Sequence, residues 1–383
     1  MNLLKYIKGD KVIWVVVLLL SIVSVLVVYS AVVALAYRYK GGDTASYLIK
    51  HVFIVASGMV LMYFVHKAKY TYFSRVSQIA VFVAAPLLLY TLLRGVSQGE
   101  ASRWLVIPGT PLTFQTSDFA KLALITYVAR VLSIKQNRIT DFKEAFLPII
   151  IPIAIICGLI LPANFSTAAL LFVTCFVLMF IGRVYWKHLL ILLGSGIVVA
   201  GLLIVLIFNF PNAIPRGKTW KARIENFSSG DSETNFQSEQ AKIAIATGGI
   251  IGQGPGNSIQ RNFLPQASSD FIFAVLIEEW GGVTAIVVIF LYLILLFRGV
   301  SISNKSEKTF GTLLSIGLTF NLVFQAMINM AVAVNLLPVT GQPLPLVSMG
   351  GTSIWFTSIA IGIILSISKE NETTKQGGQI ETS

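Results

Sequence analysis

The chain is poor in charged residues, in cysteine and in histidine. Only 12% of its 383 residues are Asp, Glu, Lys or Arg, whereas 55% are hydrophobic. Its two cysteines, Cys157 and Cys175, lie inside apolar runs and have no partner at the spacing of a metal site. The three histidines are far apart in sequence. Neither residue type therefore indicates a metal centre.

The sequence consists largely of long apolar runs. The mean hydropathy is +0.78, and several runs are long enough to cross a hydrocarbon core of about 30 Å. Open strand edges would leave backbone polar groups unsatisfied in lipid, so the predicted fold class is all-α, a polytopic membrane protein with ten transmembrane helices. The predicted spans are residues 12–36, 48–66, 76–93, 117–134, 144–161, 165–182, 187–209, 271–297, 310–337 and 351–368.

These spans predict one transmembrane domain, residues 1–368, followed by a polar tail, 369–383, that we expect to be disordered and cytoplasmic. Basic residues cluster in the loops after the even-numbered spans, which predicts that both termini are cytoplasmic. The opposite face would then hold a large extracytoplasmic loop between helices 7 and 8, at about 210–270.

The chain carries a net charge of +12 and a pI near 9.7. Such a balance suits a membrane protein that works among anionic lipids or on an anionic lipid-linked substrate. Nucleic acid is not an expected partner, because basic residues of the extracytoplasmic loop would meet none there.

The 210–270 loop carries most of the polar chemistry of the chain. It contains Arg216, Arg223 and Gln237, then a Gly-rich run at 248–256, and it ends at Asp270 directly before an apolar span. A carboxylate at this boundary should be partly desolvated, which raises its pKa and makes it a better base. The alternative interpretation is that Asp270 caps the eighth span, because Asp is a favoured N-cap residue.

The charged residues inside predicted spans include Asp118, Lys121, Glu278 and Glu279. Ionised groups in a membrane are costly unless they are paired or wetted, so we expect them to face one another or a cavity. They could form structural ion pairs that hold the bundle in register. Lys121 could instead lie in a polar groove that binds a diphosphate.

A second unusual run, residues 338–353, holds three prolines and three glycines and cannot continue a helix. Ser348, Gly350 and Gly351 precede the tenth span, whose N-terminus would be a natural anion site. A simple turn between two spans is the other interpretation.

Three stretches of the sequence resemble the SEDS family (shape, elongation, division, sporulation), which includes FtsW and RodA. The first contains Ser102-Arg103-Trp104, Phe114-Gln115 and Ser117-Asp118…Lys121, and the third is Pro338-Val339-Thr340-Gly341…Pro343-Leu344-Pro345…Ser348…Gly350-Gly351-Thr352-Ser353. The second runs from Phe236-Gln237 through Gly248-Gly249 and Leu264-Pro265 to Asp270-Phe271 and Glu278-Glu279. The sequence departs from the family pattern at Thr116-Ser117-Asp118, usually Pro-Ser-Glu, and at Asn164, often aspartate.

The resemblance implies a peptidoglycan glycosyltransferase that polymerises lipid II at the outer face of a bacterial cytoplasmic membrane. It implies that Asp270 is the essential loop aspartate. Partners would be lipid II, the undecaprenyl-diphosphate-linked glycan, a class B penicillin-binding transpeptidase and divisome or elongasome proteins. The 338–353 run is more similar to FtsW, which implies a septal position and a role in division. The predicted substrate-binding residues are Arg103, Trp104, Lys121, Arg216, Arg223, Gln237, Ser348, Gly350 and Gly351.

Joining two lipid-linked sugars needs a base for the attacking hydroxyl and positive charge for the departing diphosphate. Asp270 and the arginines supply both, and a single carboxylate favours direct displacement with inversion. The resemblance suggests that Mg²⁺ or another divalent cation could assist by bridging the diphosphate to a carboxylate. The alternative functions are a lipid II flippase and a non-enzymatic division scaffold.

Overall fold

Helices make up most of the structure, a computed structural model that describes residues 8–40, 43–97, 102–106, 113–212, 216–229, 236–264 and 266–380. The α-helices are α1 (Lys11–Ala31), α2 (Val33–Lys40), α3 (Thr44–Lys67), α4 (Thr71–Arg94), α5 (Thr116–Ile134), α6 (Leu147–Ile160), α7 (Phe165–Ile181), α8 (Trp186–Asn209), α9 (Gly217–Ser229), α10 (Phe236–Gly248), α11 (Ile272–Asn304), α12 (Thr309–Ala333) and α13 (Thr352–Ile380). A three-stranded antiparallel sheet of β1 (Val96–Ser97), β2 (Ser102–Val106) and β3 (Thr113–Gln115) lies between α4 and α5.

The predicted helical, multi-pass membrane class is confirmed. Among the described residues, eight helices are long and apolar enough to cross a membrane. They are α1, α3, α4, α6 with the π-helical turn before it, α8, α11, α12 and α13. Of the remaining predicted spans, α7 is apolar but has 17 residues, and α5 carries three charged side chains. The count of ten therefore stays a prediction.

The bundle has two polar ends. At one end, which we call the terminal end, Asp10 pairs with Arg298 near the end of α11, and Asn371 Nδ2 of α13 donates to the Ile302 carbonyl at 3.0 Å. The other end holds the sheet, α9 and the segments 266–271 and 334–351, and we call it the site end.

The centre of the bundle is formed by α5 and α12. Leu124, Ile125 and Leu314 are fully buried there, in one cluster with side chains of α7 and α11. Helix α8 is the opposite case, since only 11% of its apolar window is buried and its side chains face outward. Such a surface fits lipid, not water.

Three features differ from the sequence prediction. The first predicted span, 12–36, is divided at Val32, where α1 ends and α2 follows; the apolar character continues across this break, so hydropathy could not show it. The connection between the predicted spans 76–93 and 117–134, a loop in an all-α fold, contains the sheet, although residues 98–101 and 107–112 lie outside the described part. The large loop itself contains two helices, α9 and α10.

The tail predicted as disordered from residue 369 is helical as far as Ile380, and residues 381–383 lie outside the described part. Its first residues pack on the terminal end of the bundle. Lys308 Nζ lies 3.2 Å from Glu370 Oε1, and the Gly9 amide donates to Glu372 Oε2 at 3.2 Å. These contacts, which join residues far apart in sequence, extend the helix beyond the apolar span.

The Gly-rich run, 248–256, is inserted into α11. Gly281 has a φ of 78° and a ψ of 174°, which breaks the helix and frees backbone groups on both sides. Gly282 N donates to Gly249 O at 2.9 Å, and Gln253 N donates to Glu278 O at 2.9 Å. The run thereby takes the place of the missing helical hydrogen bonds. The break at Gly281 separates a half-helix, Ile272–Trp280, from the rest of α11.

Candidate active site

Asp270 lies at the site end, directly before the half-helix of α11. Its Oδ1 accepts from Ser269 Oγ at 2.9 Å, and its carbonyl accepts from Asn329 Nδ2 of α12 at 2.9 Å. The helix N-cap is Phe271, and no side chain caps it. The N-cap interpretation of Asp270 is therefore wrong, and its carboxylate does not bind the backbone of α11.

The carboxylate faces Arg103 across Gly341. A Cβ atom on Gly341 would lie 3.5 Å from Asp270 Oδ2 and 3.8 Å from Arg103 Nη1. Gly341 has a φ of 66°, a conformation that favours glycine. An acid and a guanidinium thus border one small space that has no side chain in it.

Two further arginines of α9 and its preceding turn join this group. Arg103 Nε and Arg216 Nη1 both donate to the Ala163 carbonyl, at 3.0 and 2.9 Å. Arg223 Nη1 donates to the Val339 carbonyl at 3.0 Å. The β-sheet, α9, the turn after α6 and the 338–341 segment therefore concentrate three positive charges near one carboxylate.

Burial shifts the pKa of Asp270, Arg103 and Arg223, and neighbouring arginines oppose the shift of Asp270 but add to those of Arg103 and Arg223. Desolvation raises the pKa of Asp270 above its ordinary value, while the Ser269 hydrogen bond and then Arg103 and Arg223 oppose the shift. Desolvation, followed by repulsion from Arg216 and Arg223, lowers the pKa of Arg103 to about 10. The pKa of Arg223 is lowered by burial and by Arg216. The site is thus an acid of increased basicity beside crowded cations.

The 334–351 segment forms the floor of the site and is held from several sides. Gln342 Nε2 donates to Thr167 Oγ1 of α7 at 2.6 Å, and Tyr292 of α11 donates to the Pro345 carbonyl. Ser24 of α1 donates to the Val347 carbonyl at 2.7 Å. The predicted break in helical structure is present between Ala333 and Thr352, but the segment is fixed by packing and is no simple surface turn.

Three of the predicted binding residues lie in this segment. Ser348 is buried, and its Oγ donates to Ser269 O at 2.6 Å while accepting from Leu344 N at 2.8 Å. It therefore braces the residues before Asp270. Gly350 and Gly351 are partly buried and lead into α13, where Thr352 Oγ1 donates to the Thr113 carbonyl at 3.2 Å. Their role toward an anion stays a prediction.

Lys121 pairs within its own helix. Its Nζ lies 2.8 Å from Asp118 Oδ1 and donates to Gln325 Oε1 of α12 at 3.2 Å. Both charged side chains are buried, and they line a cavity of about 40 Å³. Gln325 Nε2 in turn donates to the Pro343 carbonyl of the floor at 3.0 Å. The expected pair exists, with Asp118 as the carboxylate, and it connects to the site through Gln325.

The expectation that Glu278 and Glu279 face the other charged residues of the spans or a cavity is wrong. Glu278 accepts from the hydroxyl of Ser258 and from the amides of Ile259 and Gln260, at 3.0 and 3.2 Å. Glu279 accepts from Ser30 of α1. Arg261 Nη1 lies 3.6 Å from Glu279 Oε1. The insertion of the Gly-rich run explains this difference, because it brings 258–261 onto α11.

Trp104 and Gln237 are more peripheral. Trp104 pairs with Gln115 of β3, and its side chain is partly buried. Gln237 lies in the first turn of α10 and is also partly buried. Neither has a described contact with Asp270, so their binding roles stay predictions.

An apolar cleft of about 350 Å³ opens beside the arginines. It runs between α7, α8, α9 and α12, and its lining includes Leu203, Phe324 and Ile328. Arg216 and Arg223 line it as well. The apolar cleft therefore opens next to the positively charged arginines of the site.

The described residues do not form a metal site by themselves. No group of three or more His, Cys, Asp or Glu side chains with suitable geometry occurs in the described ranges. Around Asp270 the structure offers one carboxylate and three guanidinium groups, whereas Mg²⁺ takes about six oxygen ligands. The divalent cation stays a prediction.

Several functional positions were missed by reasoning from the sequence. These positions act through backbone geometry or through contacts between distant helices, and such roles cannot be predicted from the residue type. They are Gly341, Asn329 and the Ala163 carbonyl. Asn164, noted only as a departure from a family pattern, caps α7 by accepting from Thr167 N at 3.3 Å. For Gly341, the sequence signal was the glycine itself, placed between Thr340 and Gln342 in a run rich in proline.

Comparison with known proteins identifies the family. The family model of the FtsW, RodA and SpoVE cell cycle proteins matches residues 10–373. The chain is 32% identical over 362 residues to the probable peptidoglycan glycosyltransferase FtsW of Trichlorobacter lovleyi, covering 94% of this chain and 93% of the relative. It is 29% identical over 365 residues to stage V sporulation protein E of Bacillus subtilis, covering 94% and 97%.

The fold is also that of a solved structure described as the structural coordination of polymerization and crosslinking by a peptidoglycan synthase complex. The two chains superpose with a TM-score of 0.75 at 22% identity, over 95% of this chain and 98% of the other. Sequence and fold agree along nearly the whole length. The chain therefore belongs to the SEDS family of FtsW, RodA and SpoVE and is an FtsW-like member of it.

Proposed function

We propose that this protein is a peptidoglycan glycosyltransferase that polymerises lipid II at the outer face of the cytoplasmic membrane during cell division, with Asp270 as the general base. The observation that carries the proposal is that Asp270 and Arg103 border the same space beside Gly341. The similarity to probable peptidoglycan glycosyltransferases of the FtsW type supports the reaction class.

The reaction needs one proton to be removed and one bond to be broken. Asp270 accepts the proton of the acceptor sugar hydroxyl, whose oxygen then forms a bond to the anomeric carbon of the donor. The bond from that carbon to the diphosphate breaks, and the lipid diphosphate leaves. The raised pKa of Asp270, caused mainly by burial, strengthens it as a base near neutral pH. A single carboxylate favours inversion at the anomeric carbon.

The departing diphosphate requires positive charge. Arg103, Arg216 and Arg223 meet this need, since guanidinium groups bind phosphate oxygens through paired N–H donors. Each is already oriented by a backbone carbonyl, at 2.9 to 3.0 Å. Preorganised donors of this kind stabilise developing charge without reorganisation.

The lipid chain of the substrate requires an apolar path. The cleft of about 350 Å³ between α7, α8, α9 and α12 supports this part of the proposal, because its apolar lining begins at Arg216 and Arg223. A lipid diphosphate could place its phosphates at the arginines and its isoprenoid chain in the cleft.

We further propose that the site end faces the periplasm, that both termini are cytoplasmic and that the protein acts at the septum with a class B penicillin-binding transpeptidase. The basic loops at the terminal end support this orientation. The relative described as part of a peptidoglycan synthase complex supports the partner class.

The position of the site favours an enzyme over the two alternatives. A flippase should hold its substrate near the middle of the membrane, whereas Asp270 and the arginines lie at the site end. A scaffold has no use for an acid of raised pKa beside three arginines. Transport by the same fold would predict headgroup translocation without polymer.

The test uses purified protein in liposomes with lipid II and, as an added arm, the partner transpeptidase. Asp270→Asn keeps the Ser269 hydrogen bond and removes the base, so we expect glycan strand formation to fall by about 100-fold or more. Glu239→Gln is the matched control, because Glu239 pairs only with Lys242 on α10 at 3.4 Å among its described ion pairs. Normal strand length in Asp270→Asn would refute the proposed base.

A further inference from the structure

The tip of the Gly-rich run exposes two large apolar side chains. Ile250 is 75% exposed and Ile251 is 85% exposed, and no large hydrophobic side chain in the described ranges exceeds the latter value. Two adjacent isoleucines in water would be unfavourable, and nothing else in the described part of the chain covers them.

The hydrogen bonds of the run fix the level of this tip along the bundle. Gly282 N donates to Gly249 O at 2.9 Å, and Val283 N donates to Ile250 O at 3.3 Å. The tip is therefore level with the first turn of α11 after the break. From Gly282 to Arg298 the helix runs for about 16 residues, or about 24 Å at 1.5 Å per residue.

Arg298 marks one boundary of the membrane, because it pairs with Asp10 at the terminal end and is partly exposed. The hydrocarbon core is about 30 Å thick. A point about 24 Å along α11 from this boundary lies within the core, near its far edge. Helix α1 gives the same level, since Ser30 in its last turn contacts Glu279, one residue before Trp280.

The tip continues a surface that faces lipid. Below it, Val283, Ile286, Val287 and Phe290 recur at helical spacing on one side of α11 and are 51% to 58% exposed. A continuous apolar stripe therefore ends in the two isoleucines. The backbone of the tip can lie in hydrocarbon because its bonds to α11 satisfy polar groups on both elements.

We propose that Ile250 and Ile251 insert into the acyl chains of the adjacent leaflet and form a membrane anchor for the polar segment. The anchor holds the break in α11 at the edge of the hydrocarbon. The half-helix Ile272–Trp280 connects this point to Asp270, so the anchor sets the height of the carboxylate relative to the membrane surface. The occupant of the surface is lipid, and the reaction proposed above is not needed for the binding itself.

The test measures depth with a nitroxide label. Ile251→Cys is prepared in a Cys157→Ala, Cys175→Ala background and reconstituted in nanodiscs of phosphatidylglycerol and phosphatidylethanolamine. Collision rates are measured with oxygen, which concentrates in lipid, and with a nickel chelate, which stays in water. Phe290→Cys, 58% exposed on the stripe, is the lipid reference, and Asn137→Cys, exposed in the 3₁₀ turn after α5, is the water reference.

We expect the label at 251 to collide with oxygen at a rate near that at 290 and to be at least fivefold less accessible to the nickel chelate than the label at 137. Nickel accessibility equal to that at 137 would overturn the anchor. Protection from both reagents would also overturn it, since a protein surface would then cover the tip. Because the measurement reads no activity, its failure is distinct from failure of the proposed glycosyltransferase.

Discussion

Asp270 and Arg103 border the same empty point, the position that a Cβ atom of Gly341 would occupy, at 3.5 Å from the carboxylate and 3.8 Å from the guanidinium. The two groups are thus close enough to act on one substrate but leave room for it. The room depends on a residue without a side chain.

Gly341→Ala should therefore reduce polymerisation by about 10-fold or more, since the methyl group enters this space and the φ of 66° costs an L-residue about 1–2 kcal/mol. Strand synthesis from lipid II is the measurement. Gly201→Ala is the matched control, because a Cβ there would meet nothing within 4 Å. Equal activity of the two variants would show that the space is not used.

The raised pKa of Asp270 predicts the acid side of the pH profile. A base works only when deprotonated, so kcat/KM should fall as the pH drops through the pKa of Asp270, which burial moves above the usual value of about 3.9. The residual activity of Asp270→Asn should lack this limb. A wild-type limb centred at the ordinary aspartate value would contradict a desolvated base.

Arg103→Lys should lower kcat/KM by about 10- to 100-fold, the equivalent of one charged hydrogen bond of about 1.5–3 kcal/mol. Lysine carries the charge but cannot donate to the Ala163 carbonyl and to a phosphate with one planar group. Steady-state kinetics with lipid II measures the change. The exposed Arg75→Lys, on α4, serves as control and should behave as the wild type.

We expect substitutions of Lys121 and Asp118 to have non-additive effects on the free energy of unfolding. Lys121→Gln leaves a buried carboxylate without its cation, which should cost about 3–5 kcal/mol of unfolding free energy, whereas Asp118→Asn with Lys121→Gln should recover most of it. Thermal unfolding in detergent gives the comparison.

The polymerisation rate of that double variant separates the two interpretations of Lys121. A stable and active double variant assigns the pair to structure. A stable but inactive one assigns Lys121 to substrate, by way of the cavity that it lines with Gln325. A double variant no more stable than Lys121→Gln would exclude the ion pair as the source of stability.

Hydropathy predicted most of the long helices, because each must be apolar over the thickness of the membrane. It could not predict the break at Val32, where the apolar run continues, or the helical tail, which depends on contacts of Glu370 and Glu372 with distant residues. Asp270 and the arginines were found from their residue types at the boundary of a polar segment.

The positions of Asp270 and the arginines relative to one another could not be predicted from the sequence. Arg103 and Arg216 meet at the Ala163 carbonyl although they are 113 positions apart in the chain. Glu278 and Glu279 were expected to face the other charged residues of the spans or a cavity, and only the insertion at Gly281 shows that they contact residues 258–261 instead. Contacts of this kind arise from packing, which leaves no local pattern.

Most external loops tolerate added or lost residues, since lengthening a flexible connection costs little entropy. The stretch from Gly249 to Gly254 has no such freedom, because amides and carbonyls at both its ends are registered against α11. A single inserted residue would shift the amides of Gln253 and Gly254 away from α11 and leave the carbonyls of Glu278 and Glu279 without hydrogen bonds in an apolar setting. Natural variation in the length of the polar segment should therefore concentrate between α9 and α10.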